Sequence, residues 1–490
     1  MDDCDTMIRV RTHGFGIGLS NLACFLATMV IVSAATGQTM SPVASRPAEA
    51  HVGTSHPQSP SMQARADDIL SVCQEDLRQC NMLWCLGRDN APYLRKVAKD
   101  SYPLWRQAKQ QGLAEGIFLI GCCYWDGVEV EKDLDKTVKY FRQAADKGLS
   151  DAMRIMGLLH LQGSGVAKDR AEAVKWFRKA AGAGDDLAAV QLGSMYQVAL
   201  GVKRDYAEAR KWYRKAADHG LPNGMSCIGS LYLKGLGVPQ NYAEAMKWYR
   251  KAAEMGYPPA MFQIGRLFAE GWGVAKNYAE AMKWYHKAAD AGDAAAIHAI
   301  GRLHQNGLGV PQDYAEAMKW YRKGAEIGDP VAMYEIGYLF AEGWGVAKDY
   351  VEAMKWYRKA ADAWDVSAMN EIGWLYAKGL GVNQDYAEAM KWYRKAADAG
   401  GADAMMELGI MYDLGRGVAK DHVTAAKWFR KSYEAGSEYA AIMLGVMYAD
   451  GTGVPKNLDT AEKWIRIAAS SKNQAVRERA AKALKSIGRE

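Results

Sequence analysis

From Gly112 to Ser471 the apolar positions fall into two alternating helical stripes. In one copy, PAMFQIGRLFAE carries apolar or small residues at Ala260, Met261, Ile264, Gly265, Leu267 and Phe268. This i, i+3, i+4, i+7 pattern predicts an amphipathic helix. A second stripe, at Tyr278, Ala281, Met282, Tyr285, Ala288 and Ala289, predicts another helix that Gly292 stops. Between them, Gly271 suits a left-handed C-cap and Gly273 a tight turn. Asn277 with Glu280 three residues on reads as a capping box, repeated by Asp205/Glu208, Asp313/Glu316, Asp349/Glu352 and Asp385/Glu388.

The pair of helices recurs at a fixed interval of 36 residues, marked by Trp176, Trp212, Trp248, Trp284, Trp320, Trp356, Trp392, Trp428 and Trp464, with Tyr140 in the same slot before them. A fixed period of this length predicts an all-α fold, a solenoid of stacked helical hairpins. Ten hairpins fill residues 112–472. A glycine equivalent to Gly265 stands mid-helix in all ten. Each costs about 1 kcal/mol against alanine. That penalty predicts a partner helix, carrying the tryptophan, that crosses too closely for a Cβ. Residues 67–111 keep the register in degenerate form, with Pro103 expected to interrupt the helix, and residues 473–490 predict one more helix. Atypical ends of this kind cover the open faces of a solenoid.

Composition adds little beyond the repeat, which accounts for Gly 49 and Trp 16. The formal charge of +6 is spread along the hairpins, so no nucleic-acid footprint is expected. Ahead of the array, Arg9 and Arg11, the apolar run Leu22–Val32 and the small residues Ser33, Ala34, Ala35 and Gly37 read as a signal segment over residues 1–37. An uncleaved anchor over residues 14–35 is the other reading, and the membrane is a partner only in that case. Both place the remainder outside the cytoplasm. Residues 38–66, rich in Pro, Ser and Ala, read as a flexible tether. In an exported chain, Cys73, Cys80, Cys85, Cys122 and Cys123 are candidate disulfide cysteines, with Cys80 or Cys85 bridged to Cys122 or Cys123. No metal site and no cofactor are expected, since no histidine accompanies the cysteines and no phosphate loop occurs.

The motif A-M-x-x-I-G-x-L-Y-x-x-G-x-G-V-x-x-D-Y-x-E-A-x-K-W-Y-R-K-A-A resembles the Sel-1-like repeat, a relative of the tetratricopeptide repeat. The resemblance implies a right-handed α/α superhelix used as an interaction scaffold, with the first helices lining its concave surface. Family members with signal segments are often periplasmic or secreted bacterial proteins engaged in host interaction, envelope signalling or peptidoglycan metabolism. One secreted branch, linked to β-lactam binding, has a cysteine pair in every repeat, whereas eight of the ten hairpins here have no cysteine.

Comparing the ten copies separates scaffold from variation. On the first helix the variable slots lie three before the glycine and one after it. Four consecutive hairpins fill them with aromatic, arginine and polar residues: Phe262 and Arg266, His298 and Arg302, Tyr334 and Tyr338, Asn370 and Trp374. These types dominate binding hot spots, so the eight are expected to line a groove for a protein partner. Lys247, Arg250, Lys251 and their counterparts form a basic row that reads as a solvated face paired with carboxylates such as Glu244, or else as a contact for anionic envelope polymer. No motif of a hydrolytic nucleophile occurs, including the Ser-x-x-Lys of penicillin-recognising enzymes. An exported interaction scaffold, not an enzyme, is the expected function. Weak hydrolysis or binding of peptidoglycan-like ligands is the reading from a second class.

Overall fold

The computed structural model describes residues 69–77 and 91–489, which form 23 helices. The signal segment, the tether, Cys80 and Cys85 lie outside the described residues. Among the described residues no helix is long and apolar enough to cross a membrane. The chain divides into two compact units, one ending at Asp293 and the other beginning at Ala294. From the helix Ala91–Gln110 onward, every helix within a unit packs against its neighbours in sequence.

One hairpin shows how the sequence builds the repeat. Its helices are Pro258–Glu270 and Tyr278–Asp290, of 13 residues each. Gly271 ends the first at φ +73°, and its N–H donates to the Leu267 carbonyl. Gly273, at φ +71°, does more than turn the chain: a Cβ there would stand 2.5 Å from Cβ of Tyr242, at the start of the preceding hairpin's second helix.

The capping box forms by half. Asn277 Oδ1 accepts the Glu280 N–H at 3.0 Å as expected. The Asn277 N–H, however, donates to the Phe268 carbonyl at 2.9 Å. A backbone N–H has one proton to give, and this carbonyl in the last turn of the first helix has no helical partner of its own. The Glu280 side chain is released to accept from Lys283 Nζ at 3.0 Å.

The mid-helix glycine is explained by the neighbour of the expected residue. A Cβ on Gly265 would lie 2.5 Å from Tyr285 Cε1, as it would for Gly301 and Tyr321 and for Gly409 and Phe429, and 2.7 Å away for Gly373 and Tyr393. The tyrosine or phenylalanine after the tryptophan therefore fills the crossing, not the tryptophan. One residue along an α-helix is a rotation of about 100°. Trp284 accordingly sits half-buried at the rim, with Lys287 Nζ 4.4 Å from its ring centre.

At the amino-terminal end, Pro103 does not interrupt its helix, which runs unbroken from Ala91 to Gln110. Proline removes one internal hydrogen bond. Here burial of Leu94, Ala98, Trp105 and Ala108 along one stripe outweighs that loss. Asp76 joins the 69–77 helix to this one, accepting from Tyr93 Oη at 2.8 Å and Trp105 Nε1 at 2.9 Å. Among the described residues Cys73 and Cys123 form no disulfide with one another, and the partners expected for the pairing, Cys80 and Cys85, lie outside those residues. Cys73 and Cys123 are buried in the apolar core as small hydrophobic side chains, and desolvation pushes each thiol up to about 12. Cys122 is buried beside them.

At the other end, Gln474–Ser486 lays Val476, Ala480 and Leu484 against the last hairpin. Arg489 Nη2 holds Asp459 at 2.9 Å.

Candidate functional site

The variable slots do not share one environment. The slot three before the glycine faces the tyrosine of the second helix. Phe262 lies tilted on Tyr285 at 5.6 Å between ring centres, His298 on Tyr321 at 5.7 Å and Tyr334 on Tyr357 at 5.6 Å. Tyr334 is only 8% exposed. In the slot after the glycine Arg266, Arg302, Tyr338 and Trp374 are half-buried, as are Phe262, His298 and Asn370 in the other. Arg266 places its guanidinium 5.4 Å from the Trp272 ring centre, and Tyr338 meets Trp344 edge-on at 5.3 Å. Phe262 and Arg266 belong to the unit ending at Asp293; the other six residues belong to the unit beginning at Ala294.

An earlier hairpin turns the same slot to a structural use. Arg154 Nε is 2.9 Å from Asp185 Oδ2, with both side chains 6% exposed, and its Nη2 is 3.1 Å from Asp151. Asp185 in turn caps the next first helix through the Ala188 N–H. This ion pair stitches one hairpin to its successor.

Several members of the basic row along the second helices find partners within the chain. Lys319 pairs with Glu316 at 2.7 Å, and Lys323 lies 4.1 Å from the Trp320 ring centre. Arg358, Arg394 and Arg430 each donate to a tyrosine hydroxyl on the following hairpin, Tyr376, Tyr412 and Tyr448. The lysine closest to the carboxylate is thus solvated and paired, as its sequence spacing implies.

Comparing slots −3 and +1 misses a third. Two before the glycine stand Glu335, Glu371 and Glu407, in three consecutive first helices. All three are half-buried, and His298 Nε2 approaches Glu335 Oε1 at 3.8 Å. Burial, with Asp403 and Glu371 adding to it, pushes the Glu407 carboxyl up to about 7. The signal was present in the sequence as a run of one acidic residue at one slot. Trp364 is a second omission. It stands where the flanking hairpins have Gly328 and Gly400, keeps their positive φ at +65°, and is 72% exposed.

Among the described residues no three His, Cys, Asp or Glu side chains are placed to hold a metal ion. A surface depression is lined by Tyr376, Gly379, Gly381, Val382, Asn383, Gln384 and Asp385, none of them a candidate site residue.

The Sel1 repeat model matches ten consecutive segments: 114–149, 150–185, 186–221, 225–257, 258–293, 294–329, 330–363, 366–401, 402–437 and 438–473. The chain belongs to the Sel1 repeat family. Each matched segment holds the glycine of one observed hairpin together with the side chain packed on it, an aromatic ring in nine segments and Ile465 in the tenth. The chain is similar to c5321, a protective antigen of uropathogenic Escherichia coli strains displaying an SLR fold, with 31% identity over 86% of this chain and 90% of that one and a TM-score of 0.46. A Sel1 repeat protein from Oxalobacter formigenes shares 31% identity over 66% of this chain and 94% of its own, with a TM-score of 0.48. Immunity protein Pa5087 of Pseudomonas aeruginosa shares 20% identity over 44% of this chain and 82% of its own, with a TM-score of 0.34. No curated protein matches the chain.

Proposed function

We propose that this Sel1 scaffold is exported and holds a protein partner on the face formed by the first helices, around Arg302, Tyr338 and Trp374. One observation carries the reading. In the four hairpins of Gly265, Gly301, Gly337 and Gly373 the glycine and the tyrosine ring on it are consumed by packing, while the slot after the glycine is half-buried and changes identity from copy to copy. Large aromatic and arginine side chains in such a slot are the usual anchors of a protein interface. Export is supported by the charged, apolar and small-residue order of residues 1–37.

The test is affinity capture with the full chain and with Arg302→Ala and Trp374→Ala, read by mass spectrometry and then by binding isotherms for the partner recovered. Loss of about tenfold or more in affinity for either variant is expected. Unchanged affinity for both overturns the reading. Fractionation of cells expressing the chain tests export separately, and retention in the cytoplasm overturns that part.

A further inference from the structure

Tyr393 differs from Tyr213, Tyr249 and Tyr321 in what its hydroxyl can reach. In three other hairpins the equivalent hydroxyl is satisfied from the first helix. Tyr213 Oη meets Ser194 at 3.1 Å and Gln197 at 3.0 Å, Tyr249 meets Ser230 at 3.0 Å, and Tyr321 donates to Gln305. Those partners stand one or four residues after the glycine. The corresponding residues for Tyr393 are Trp374 and Ala377, which offer no acceptor. Tyr393 is 1% exposed and its hydroxyl has no hydrogen-bond partner. Buried polar groups are seldom left so.

The surroundings of that hydroxyl are rich in acceptors. Its ring packs on Gly373, in the same helix as Asn370, Glu371 and Trp374. Burial, and after it the fields of Glu407 and Glu371, raise its pKa well above the ordinary phenol value. Asn370 Oδ1 is likewise buried without a hydrogen-bond partner. Two carboxylates, an amide oxygen and a hydroxyl thus gather where two consecutive first helices meet one second helix. The complement of this acidic, acceptor-rich group is a cation, and one with several N–H donors can serve all four acceptors at once. A guanidinium offers five in a planar fork, matched to carboxylates.

We propose that Asn370, Glu371, Tyr393 and Glu407 receive an arginine side chain of the bound partner, as one step of an extended basic segment that runs along Glu335, Glu371 and Glu407. This deepens the reading of the first-helix face and rests on it. Neighbouring packed helices lie about 10 Å apart. An extended chain rises about 3.3 Å per residue. The segment therefore carries an arginine at every third residue. Lys378 and Arg416 also face Glu407, and Asp403 adds a further carboxylate, so the site keeps a net acidic character for an incoming cation.

The experiment uses the full chain and a fluorescein-labelled peptide, Gly-Arg-Ala-Ala-Arg-Ala-Ala-Arg-Gly, at low ionic strength, read by fluorescence polarisation. Binding is expected to fall about tenfold or more in the Glu371→Gln, Glu407→Gln double variant. A smaller loss is expected for Tyr393→Phe, which removes only the hydroxyl, and for a peptide with its three arginines adjacent. Circular dichroism and thermal unfolding of each variant separate lost binding from lost fold. Absence of binding to the wild-type chain, or binding indifferent to both glutamates in folded variants, overturns the inference. Partner capture that depends on Arg302 and Trp374 but not on Glu371 and Glu407 also overturns it, while leaving the broader reading intact. Peptide binding that depends on the glutamates, beside partner capture indifferent to Arg302 and Trp374, supports the arginine site and removes the broader reading.

Discussion

Cε1 of Tyr285 lies 2.5 Å from where a Cβ on Gly265 would stand, closer than real Cβ contacts allow. Helix propensity and packing therefore oppose each other at this glycine. Alanine would gain about 1 kcal/mol from the helix. Forcing a methyl into a filled core costs about 1–3 kcal/mol. Tyr285 is buried in the hairpin and Ala281 O is only 3.2 Å from the same point, so relaxation is limited. Gly265→Ala is expected to destabilise the array. Gly182→Ala, at the last residue of its helix and with nothing within 4 Å of the new methyl, is the unhindered control and should not destabilise. Chemical denaturation of both variants checks the pair; an equal response would show that ring contact does not govern the glycine.

Trp364 makes the opposite prediction. Its backbone sits at φ +65° in a slot where Gly328 and Gly400 adopt +84° and +89°. A left-handed conformation costs a residue with a side chain about 1–2 kcal/mol. The indole recovers little of this, since it is 72% exposed and Lys395 Nζ stands 6.0 Å from its ring centre. Trp364→Gly should raise stability by about 1 kcal/mol. Lower thermal stability in the variant would mean that the indole makes a contact worth more than the strain.

The buried pair of Arg154 and Asp185 is expected to be sensitive to one-sided change. Removing the arginine leaves a carboxylate that is 6% exposed facing no guanidinium. Such uncompensated burial costs about 3–5 kcal/mol. Arg154→Met should show a loss of that size in denaturant titration. Arg154→Met with Asp185→Asn should recover much of it, because asparagine keeps a cap acceptor for the Ala188 N–H while losing the charge.

Stability of the unit beginning at Ala294 should fall as pH rises from about 4 to about 7. Burial pushes the Glu407 carboxyl from 4.5 up to about 7 and the Asp365 carboxyl from 3.8 up to about 6. The folded chain therefore holds protons that the unfolded chain has released in this window, and by linkage stability declines with rising pH there. The groups facing Glu407 are Lys378 and Arg416, which oppose the shift, and Asp403, Glu371 and Tyr393, which share its acidic surroundings. Glu407→Gln should flatten the profile and stabilise the chain at pH 8 by on the order of 2 kcal/mol. Melting temperatures between about pH 4 and about pH 8 provide the check, and a profile unchanged by the substitution would remove Glu407 as its cause.

The hairpins were legible because the signals that make them are local. A stripe, a cap and a glycine each act within a few residues. The identity of the ring on Gly265 was not legible, since Trp284 and Tyr285 recur with the same period and only helix rotation separates them. The half-formed capping box escaped for a similar reason: Phe268 O lies nine residues before Asn277, so its capture of the Asn277 N–H depends on how the loop closes. In the candidate site, comparison of copies found Arg302 and Trp374 but passed over Glu371 and Glu407, which vary one slot away. That Tyr393 lacks a partner depends on Trp374 and Ala377 standing where other hairpins have serine or glutamine, a relation between helices that no single stripe displays.

The contact of Gly273 with Tyr242 bears on how such a chain changes over generations. The same fit recurs within the units at Gly237 with Tyr206, Gly345 with Tyr314 and Gly417 with Tyr386. Each such junction is thus a seat for a near-copy of its neighbour. Unequal recombination that adds or deletes 36 residues in register leaves each remaining seat occupied by an equivalent residue. A gain or loss of any other length does not. The recognition surface can therefore be lengthened or shortened by whole hairpins without a new core having to be invented.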